Sequence, residues 1–102
     1  MIKITVKNNN DAVECVLIKG HADYDDYGKD IVCAAVSTMA ITTINAINSL
    51  DETLDFAEKS GLLEIRVKEV SDVNQKLLNN LIIQLEELKD QYPKNIEIRN
   101  ED

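Results

Sequence analysis

The chain is poor in the side chains that bind metals or form disulfides. It has one histidine, His21, and two cysteines, Cys15 and Cys33, among 102 residues. A structural zinc site needs four nitrogen or sulfur ligands, and three such residues cannot supply them. No metal and no cofactor are therefore expected. With two cysteines, no CxxC pair and no charged-then-apolar leader, we expect a reduced, cytoplasmic protein rather than a secreted one.

Basic residues are also in the minority. Eleven lysines and arginines stand against 19 aspartates and glutamates, which gives a net charge of −8. Nucleic acid is not an expected direct partner, because binding to phosphates requires a basic face. A basic protein is a more natural partner for an acidic chain. The length suffices for one modest core, so we expect a single domain over residues 1–102.

Charge is absent altogether from residues 31–50. A run of this length raises the question of a membrane span. Seven of its residues are serine, threonine or asparagine, so a buried central helix is the better interpretation, and no membrane partner is expected. Small side chains in the run would allow close approach to a sheet or to a second copy of the helix, which suggests a homodimer. They are Ala34, Ala35, Ala40 and Ala46.

Hydrophobic periodicity predicts the remaining elements. Alternating apolar residues indicate strands at 2–6, 13–18 and 63–67, with further short strands near 53–57 and 96–98. A second helix, capped by Ser71 or Asp72, follows residue 70 and carries a leucine-rich stripe. The order strand, strand, helix, strand, strand, helix, strand predicts an α+β fold. We expect a mostly antiparallel sheet of about five strands with two helices packed on it.

Residues with potential chemistry are concentrated between Gly20 and Ser37. A predicted strand ends before His21 and a predicted helix follows Asp30, so both elements could present their side chains at one sheet edge. Asp30 stands where an N-cap is expected, which places Cys33 at about the third helical position. The helix dipole and an imidazolium at His21 would both stabilise a thiolate there. A nucleophile–base pair is the resulting hypothesis.

Cys15 is expected to be a packed strand residue instead. The alternation places Val13, Cys15 and Leu17 on one face of the second strand, with Val16 and Ile18 on the other. Free cysteine is commonly buried, and no histidine lies near this position in the sequence.

The acidic loop after His21 has two interpretations. A calcium site would need a bidentate acid at the twelfth position counted from Asp23, and that residue is Ala34. The loop is then either a solvated turn or a surface that attracts a basic substrate tail, with Gly28 giving it freedom to close. Asp23 or Asp30 could orient His21. Ser37, one helical turn beyond Cys33, either lines the same site or bonds to a helix carbonyl.

The 18 residues from Gly20 to Ser37 also carry a family resemblance. The segments Gly20-His21-Ala22-Asp23, Tyr27-Gly28 and Asp30-Ile31-Val32-Cys33-Ala34-Ala35-Val36-Ser37 resemble the signature of the bacterial ribosomal-processing cysteine proteases, the Prp family. The resemblance implies that Cys33 is the nucleophile and His21 its base. It further implies a substrate, the precursor of a large-subunit ribosomal protein with a removable N-terminal extension, and a role in ribosome assembly.

Two alternatives from other functional classes remain open on the residues alone. A non-catalytic acidic module that binds a basic ribosomal or assembly protein would need the acidic loop but not Cys33. A structural homo-oligomer would need only the alanine-rich helix and the leucine stripe. A Cys33→Ala variant that keeps full function would select the binding module.

Overall fold

Five strands and two helices follow one another in the predicted order. The computed structural model describes residues 1–20, 27–59 and 61–102, with the backbone alone for residues 27–30. Within these ranges the fold is a sheet of five strands with two helices, and the α+β prediction is confirmed. The elements are β1 (Ile2–Asn9), β2 (Ala12–Lys19), α1 (Tyr27–Leu50), β3 (Leu54–Lys59), β4 (Leu62–Val67), α2 (Asp72–Gln91) and β5 (Ile96–Glu101).

The strands form one sheet in the order β3-β4-β2-β1-β5. Only β1 and β5 pair in parallel, so the sheet is mostly antiparallel, as predicted. The hairpin between β1 and β2 turns at Asn10 and Asp11, whose φ angles are 53° and 64°. Asn and Asp tolerate this left-handed conformation, which a two-residue turn of type I′ requires at both positions. The two strands are therefore joined by a tight hairpin at these two residues.

The helices bury one face of the sheet. Alternate strand residues such as Ile4, Val16 and Ile65 are almost completely buried and belong to one core cluster with both helices. The leucine stripe of α2 lies in this cluster through Leu78, Leu81 and Leu85, as predicted. Burial of apolar side chains between the two layers is the main stabilising term of such a fold.

Helix α1 is the central helix of that layer. Its run from Ile31 to Leu50 is long and apolar enough to cross a membrane by length and composition alone. In this fold, however, every third or fourth residue of the run faces the sheet and is fully or almost fully buried. These residues are Val32, Val36, Ala40, Ile44 and Ile47. The hydrophobic content of α1 is thus used for core packing.

The predicted division of β2 into two faces is wrong at Val13. Lys7 pairs with Cys15, but the next residue, Asn8, pairs with Val13, which leaves Glu14 as an extra residue in β2. A bulge of one residue shifts the alternation by one position. Val13 therefore joins the core face, whereas Cys15 lies on the opposite face. Cys15 is still only 8% exposed, so its predicted packing is confirmed.

A polar network closes the end of the sheet where α1 ends and α2 begins. Ser71 caps α2 and forms a reciprocal capping box with Asn74. The Asn74 side chain is completely buried, and its Nδ2 donates to Thr53 Oγ1 and to the carbonyl of Glu69, each at 2.8 Å. Gln75 holds both backbone groups of Val13. The two donors and the acceptor of the buried Asn74 amide are all paired, so the amide leaves no polar group unsatisfied and helps to fix the docking of α2.

Asp51 makes this network sensitive to acid. Its carboxylate accepts hydrogen bonds from the hydroxyls of Ser71 at 2.5 Å and Thr53 at 2.6 Å, and these bonds hold the pKa of Asp51 below its ordinary value of 3.8. A carboxyl whose pKa is lower in the folded state than in the unfolded state stabilises the fold at pH values above its unfolded-state pKa. This stabilisation is lost as the pH falls through the folded-state pKa. We expect Asp51→Asn to be less stable than the native chain at pH 7, with the difference shrinking below about pH 4. Urea unfolding of the native chain and of Asp51→Asn at pH 7 and at pH 3 measures this difference in stability.

Asp102→Asn, at the last residue, is the control for the loss of one charge. A stability gap for Asp51→Asn that stays constant from pH 7 to pH 3 would contradict the role of the carboxylate.

Candidate active site

The candidate site lies between the end of β2 and the start of α1. β2 ends at Lys19, and α1 begins at Tyr27. A strand before the segment and a helix after it are therefore confirmed. His21 and Asp23 lie outside the described residues, so their predicted roles stay predictions. The described part of the site consists of Gly20 on the strand side and Cys33 and Ser37 on the helix side.

Helix α1 begins earlier than its predicted cap. Asp30 was expected to be the N-cap, but α1 starts at Tyr27, so Asp30 is the fourth residue of the helix. Gly28, expected in a mobile loop, is the second. An N-cap residue has a non-helical backbone, whereas an acid within the first turn is also favoured by the helix dipole. The two situations give the same local sequence pattern, which explains why the predicted start of α1 is four residues too late.

Cys33 is consequently the seventh residue of α1 rather than the third. Its side chain is 9% exposed and belongs to the core cluster beside Val32 and Val36. The dipole effect falls off within the first turn, and burial disfavours a thiolate. The helix terminus therefore contributes less to a Cys33 thiolate than the sequence suggested. A larger share of the stabilisation has to come from a charged partner, and His21 is the candidate.

The earlier start also changes the source of oxyanion donors. The amide of Cys33 is bonded within the helix, since only the first four amides of a helix lack an intrahelical acceptor. The free amides of α1 belong to the turn that begins at Tyr27. An oxyanion formed beside Cys33 cannot be stabilised by the amide of Cys33 itself. The amides of the first turn of α1 are candidate donors instead.

Ser37 lies one helical turn from Cys33 and is partly buried. Two other hydroxyls of α1 donate back to helix carbonyls, Thr43 to Met39 and Ser49 to Ala46, each at 2.8 Å. Within the described part of the chain, the Ser37 hydroxyl makes no such bond. The back-bonded alternative is therefore not observed in this part of the chain, and a role of Ser37 in the site stays a prediction.

Cys15 lies in a different environment. Burial raises the pKa of the Cys15 thiol above 9.0, and the nearby carboxylate of Glu64 raises it further. Cys15 pairs across the sheet with Lys7 and Arg66, on the face away from both helices. Its thiol is held in the neutral form, which is the inert state. The two cysteines thus differ in element, face and chemistry.

Gly20 fixes the point at which the chain leaves β2. Its φ is +84°, and an added Cβ would lie 2.7 Å from the carbonyl oxygen of Met1. Its amide donates to the carbonyl of Gly61 at 2.8 Å. Only glycine can combine this conformation with so close an approach. Because Gly20 directly precedes His21, the contact determines where the acidic loop begins.

Replacing Gly20 by alanine is expected to lower both stability and activity. Gly61→Ala is a matched control, because Gly61 has φ +78° but open space around its Cβ position. Each change should cost about 1–2 kcal/mol of unfolding free energy for the left-handed conformation. Gly20→Ala should cost more, since the Met1 carbonyl must move as well. Chemical denaturation and peptide cleavage of both variants measure the difference.

Equal losses for the two alanine variants would show that the contact with Met1 is unimportant. In the sequence, Gly20 stands out only as part of the motif that begins with it, and nothing in the sequence points to Gly61 as its partner. The contact joins three distant segments of chain, and no local pattern signals it.

Within residues 1–20, 31–59 and 61–102, whose side chains the structure describes, no three His, Cys, Asp or Glu side chains are grouped so as to hold a metal ion. The side chains of Asp23 and Asp30 lie outside these ranges.

Comparison with known proteins assigns the family. The family model described as cysteine protease Prp matches residues 1–97. The ribosomal processing cysteine protease Prp of Staphylococcus aureus strain Mu50 is 33% identical over 101 residues, which cover 95% of this chain and 94% of the relative.

Two solved structures share the fold. The crystal structure of the S. aureus protease with a substrate peptide has a TM-score of 0.89 at 29% identity, and covers 99% of this chain and 100% of its own. The structure of the same enzyme with a covalently linked product peptide has a TM-score of 0.89 at 31% identity, and likewise covers 99% of this chain and 100% of its own. These matches favour the protease over the binding module and the structural oligomer. The chain therefore belongs to the Prp family of cysteine proteases.

Proposed function

We propose that this protease removes the N-terminal extension from the precursor of a large-subunit ribosomal protein, with Cys33 as nucleophile and His21 as base. The supporting observation is similarity along almost the whole chain to an enzyme named for ribosomal processing, which has been crystallised with a substrate peptide. The contrast between Cys15 and Cys33 supports Cys33 as the nucleophile, because burial and Glu64 keep Cys15 neutral.

The reaction proceeds in two displacements. The Cys33 thiolate attacks the scissile carbonyl, and His21 delivers its proton to the departing amine, so that an acyl-enzyme forms and the peptide bond breaks. Water then attacks the thioester as His21 takes its proton, the carbon–sulfur bond breaks, and the acid product leaves while the Cys33 thiolate and a protonated His21 are restored. The proposed compartment is the cytoplasm, because the nucleophile has to remain reduced.

Incubation with the precursor tests the proposal directly. The extension should be removed at one bond by the native chain, and the precursor should stay intact with Cys33→Ala. The −8 charge suits a basic substrate, and nucleic acid is not proposed as a direct partner.

We also propose that the protein forms a homodimer through the outer face of α1. The exposed residues on this face carry no charge, which is unusual for a helix surface in water. They are Ile31, Ala34, Thr38, Thr42 and Asn45. Alanine and threonine at these positions would let two copies of α1 approach closely.

Thr38→Glu should convert the dimer to a monomer, because it places like charges opposite each other in the contact. Light scattering coupled to gel filtration measures the mass. Gln84→Glu, at an exposed position of α2, is the control and should leave the dimer intact. A native mass of about 11.5 kDa, that of one chain, would contradict the dimer.

A further inference from the structure

Strand β3 lies at the edge of the sheet, with β4 as its only neighbour among the described residues. The amide of Lys68 donates to the carbonyl of Thr53 at 2.9 Å, just before the paired residues Leu54 and Val67. In an antiparallel ladder, hydrogen-bonded and non-bonded pairs alternate. Residues 55, 57 and 59 therefore bond inward to β4. The backbone groups of residues 54, 56 and 58 point outward from the edge.

The same alternation determines on which face of the sheet each side chain of β3 lies. Phe56, the one phenylalanine in the chain, pairs with the fully buried Ile65 on the helix side of the sheet, yet its own side chain is 50% exposed. Glu58 follows on the same side, is exposed, and makes no ion pair within the described part of the chain. Asp55, on the other side, contacts Lys68 at 3.9 Å.

Natural edge strands are usually protected against further pairing by proline, bulges or short length. β3 carries the charged side chains of Asp55, Glu58 and Lys59, which also discourage pairing, but it has no proline among its six residues, and its pairing with β4 runs from Leu54 to Lys59 without a register shift. Outward backbone groups, an exposed aromatic ring and an unpaired acid are thus aligned on one strand. Such an edge is suited to an extended peptide.

The edge also leads to the candidate active site. The last residue of β3, Lys59, pairs with Leu62, which pairs in turn with Lys19, the residue before Gly20. β3 begins beside the last turns of α1, where the amide of Leu54 donates to Asn48 Oδ1 at 3.3 Å, and it ends beside the pairs that lead to Gly20.

We propose that the β3 edge binds the substrate chain as an added strand, with Phe56 contacting an apolar substrate side chain and Glu58 a basic one two positions away. Main-chain hydrogen bonds to residues 54, 56 and 58 would set the register of the substrate strand on β3. The side chains of Phe56 and Glu58 would determine which substrate sequences are preferred. The inference rests on the proposed function, since it takes the extended, basic segment of a ribosomal-protein precursor as the occupant.

The test is binding of a synthetic peptide that spans the extension and cleavage site of such a precursor. Affinity is measured by calorimetry on the Cys33→Ala chain, which cannot turn the peptide over. Adding Phe56→Ala should weaken affinity at least about tenfold, as loss of a buried aromatic contact does. Ile83→Ala is the matched control, because Ile83 is 56% exposed but lies on α2. It should leave affinity unchanged.

Methylation of single peptide amides gives a signature specific to strand pairing. Methyl groups should weaken binding at every second residue of the bound segment, because only alternate amides face β3. Glu58→Lys should reduce affinity for the native peptide and have little effect on one whose basic residues are replaced by glutamine. In the active chain, Phe56→Ala should raise KM and leave the alkylation rate of Cys33 unchanged.

The β3 proposal would be overturned by unchanged affinity with Phe56→Ala, by methylation effects without a two-residue period, or by a change of oligomeric state on Phe56→Ala. The last would assign the edge to a second copy of the chain. A peptide that is cleaved normally by Phe56→Ala refutes the docking edge alone. A peptide that the native chain neither binds nor cleaves refutes the proposed function as well.

Discussion

Cys33→Ala and His21→Ala should each abolish removal of the extension, with rates lowered by at least about a thousandfold, because a nucleophile and its base act as a unit. Cys33→Ala removes the atom that forms the acyl-enzyme. His21→Ala removes the proton carrier and the cation that this buried thiolate needs. Electrophoresis of the precursor with time measures the rates.

Cys15→Ala is the internal control, since it removes the other thiol and leaves the site intact. It should cleave at close to the native rate. Thermal unfolding of the three variants establishes that each is folded. Normal processing by Cys33→Ala or by His21→Ala would contradict the mechanism. Loss of cleavage by a folded Cys15→Ala would indicate that Cys15, on the other face of the sheet, is the nucleophile.

The two thiols should also differ strongly in reactivity towards a small alkylating agent. Cys33 should react much faster than Cys15 at neutral pH, because only Cys33 has a candidate imidazolium to stabilise its thiolate. Burial and the carboxylate of Glu64 raise the pKa of Cys15 and keep it neutral. Mass spectrometry of the peptides that carry each thiol measures both rates, in native and in denatured protein.

The position of Cys33 in α1 sharpens this prediction. As the seventh helical residue it lies beyond the first turn, where a dipole acts most strongly. His21→Ala should therefore remove most of the rate advantage of Cys33 and leave the rate of Cys15 unchanged. If Cys33 stays fast without His21, the helix terminus is the stronger influence after all. Equal rates in the native chain would leave the catalytic assignment without a physical basis.

Features that depend on local pattern could be predicted from the sequence. Ile2, Ile4 and Val6 alternate with polar residues as β1 requires, and the leucine stripe marks the buried face of α2. Ser71 is an N-cap with a helix-favouring run behind it, and it caps α2 as expected. These signals act within a few residues, so the element order followed from them.

Features that depend on distant partners could not be predicted. The bulge at Glu14 is visible only when β2 is paired with β1, and it moves Val13 to the core face. The exposed position of Phe56 follows from the strand order, which the sequence does not state. At the site, His21 and Cys33 were identified by residue type and resemblance, while the Gly20 contact with Met1 and Gly61 needed the folded chain.

The most direct test of the central claim is to trap the acyl-enzyme and locate it. The precursor or its peptide is mixed with the native chain, quenched in acid during turnover, digested and analysed by mass spectrometry. The expected adduct has the mass of the acyl half of the substrate and is attached to the peptide that carries Cys33. It should be absent from the peptide that carries Cys15. Cleavage with the adduct on Cys15, or with no adduct on either cysteine under any quench time, would contradict Cys33 as the nucleophile.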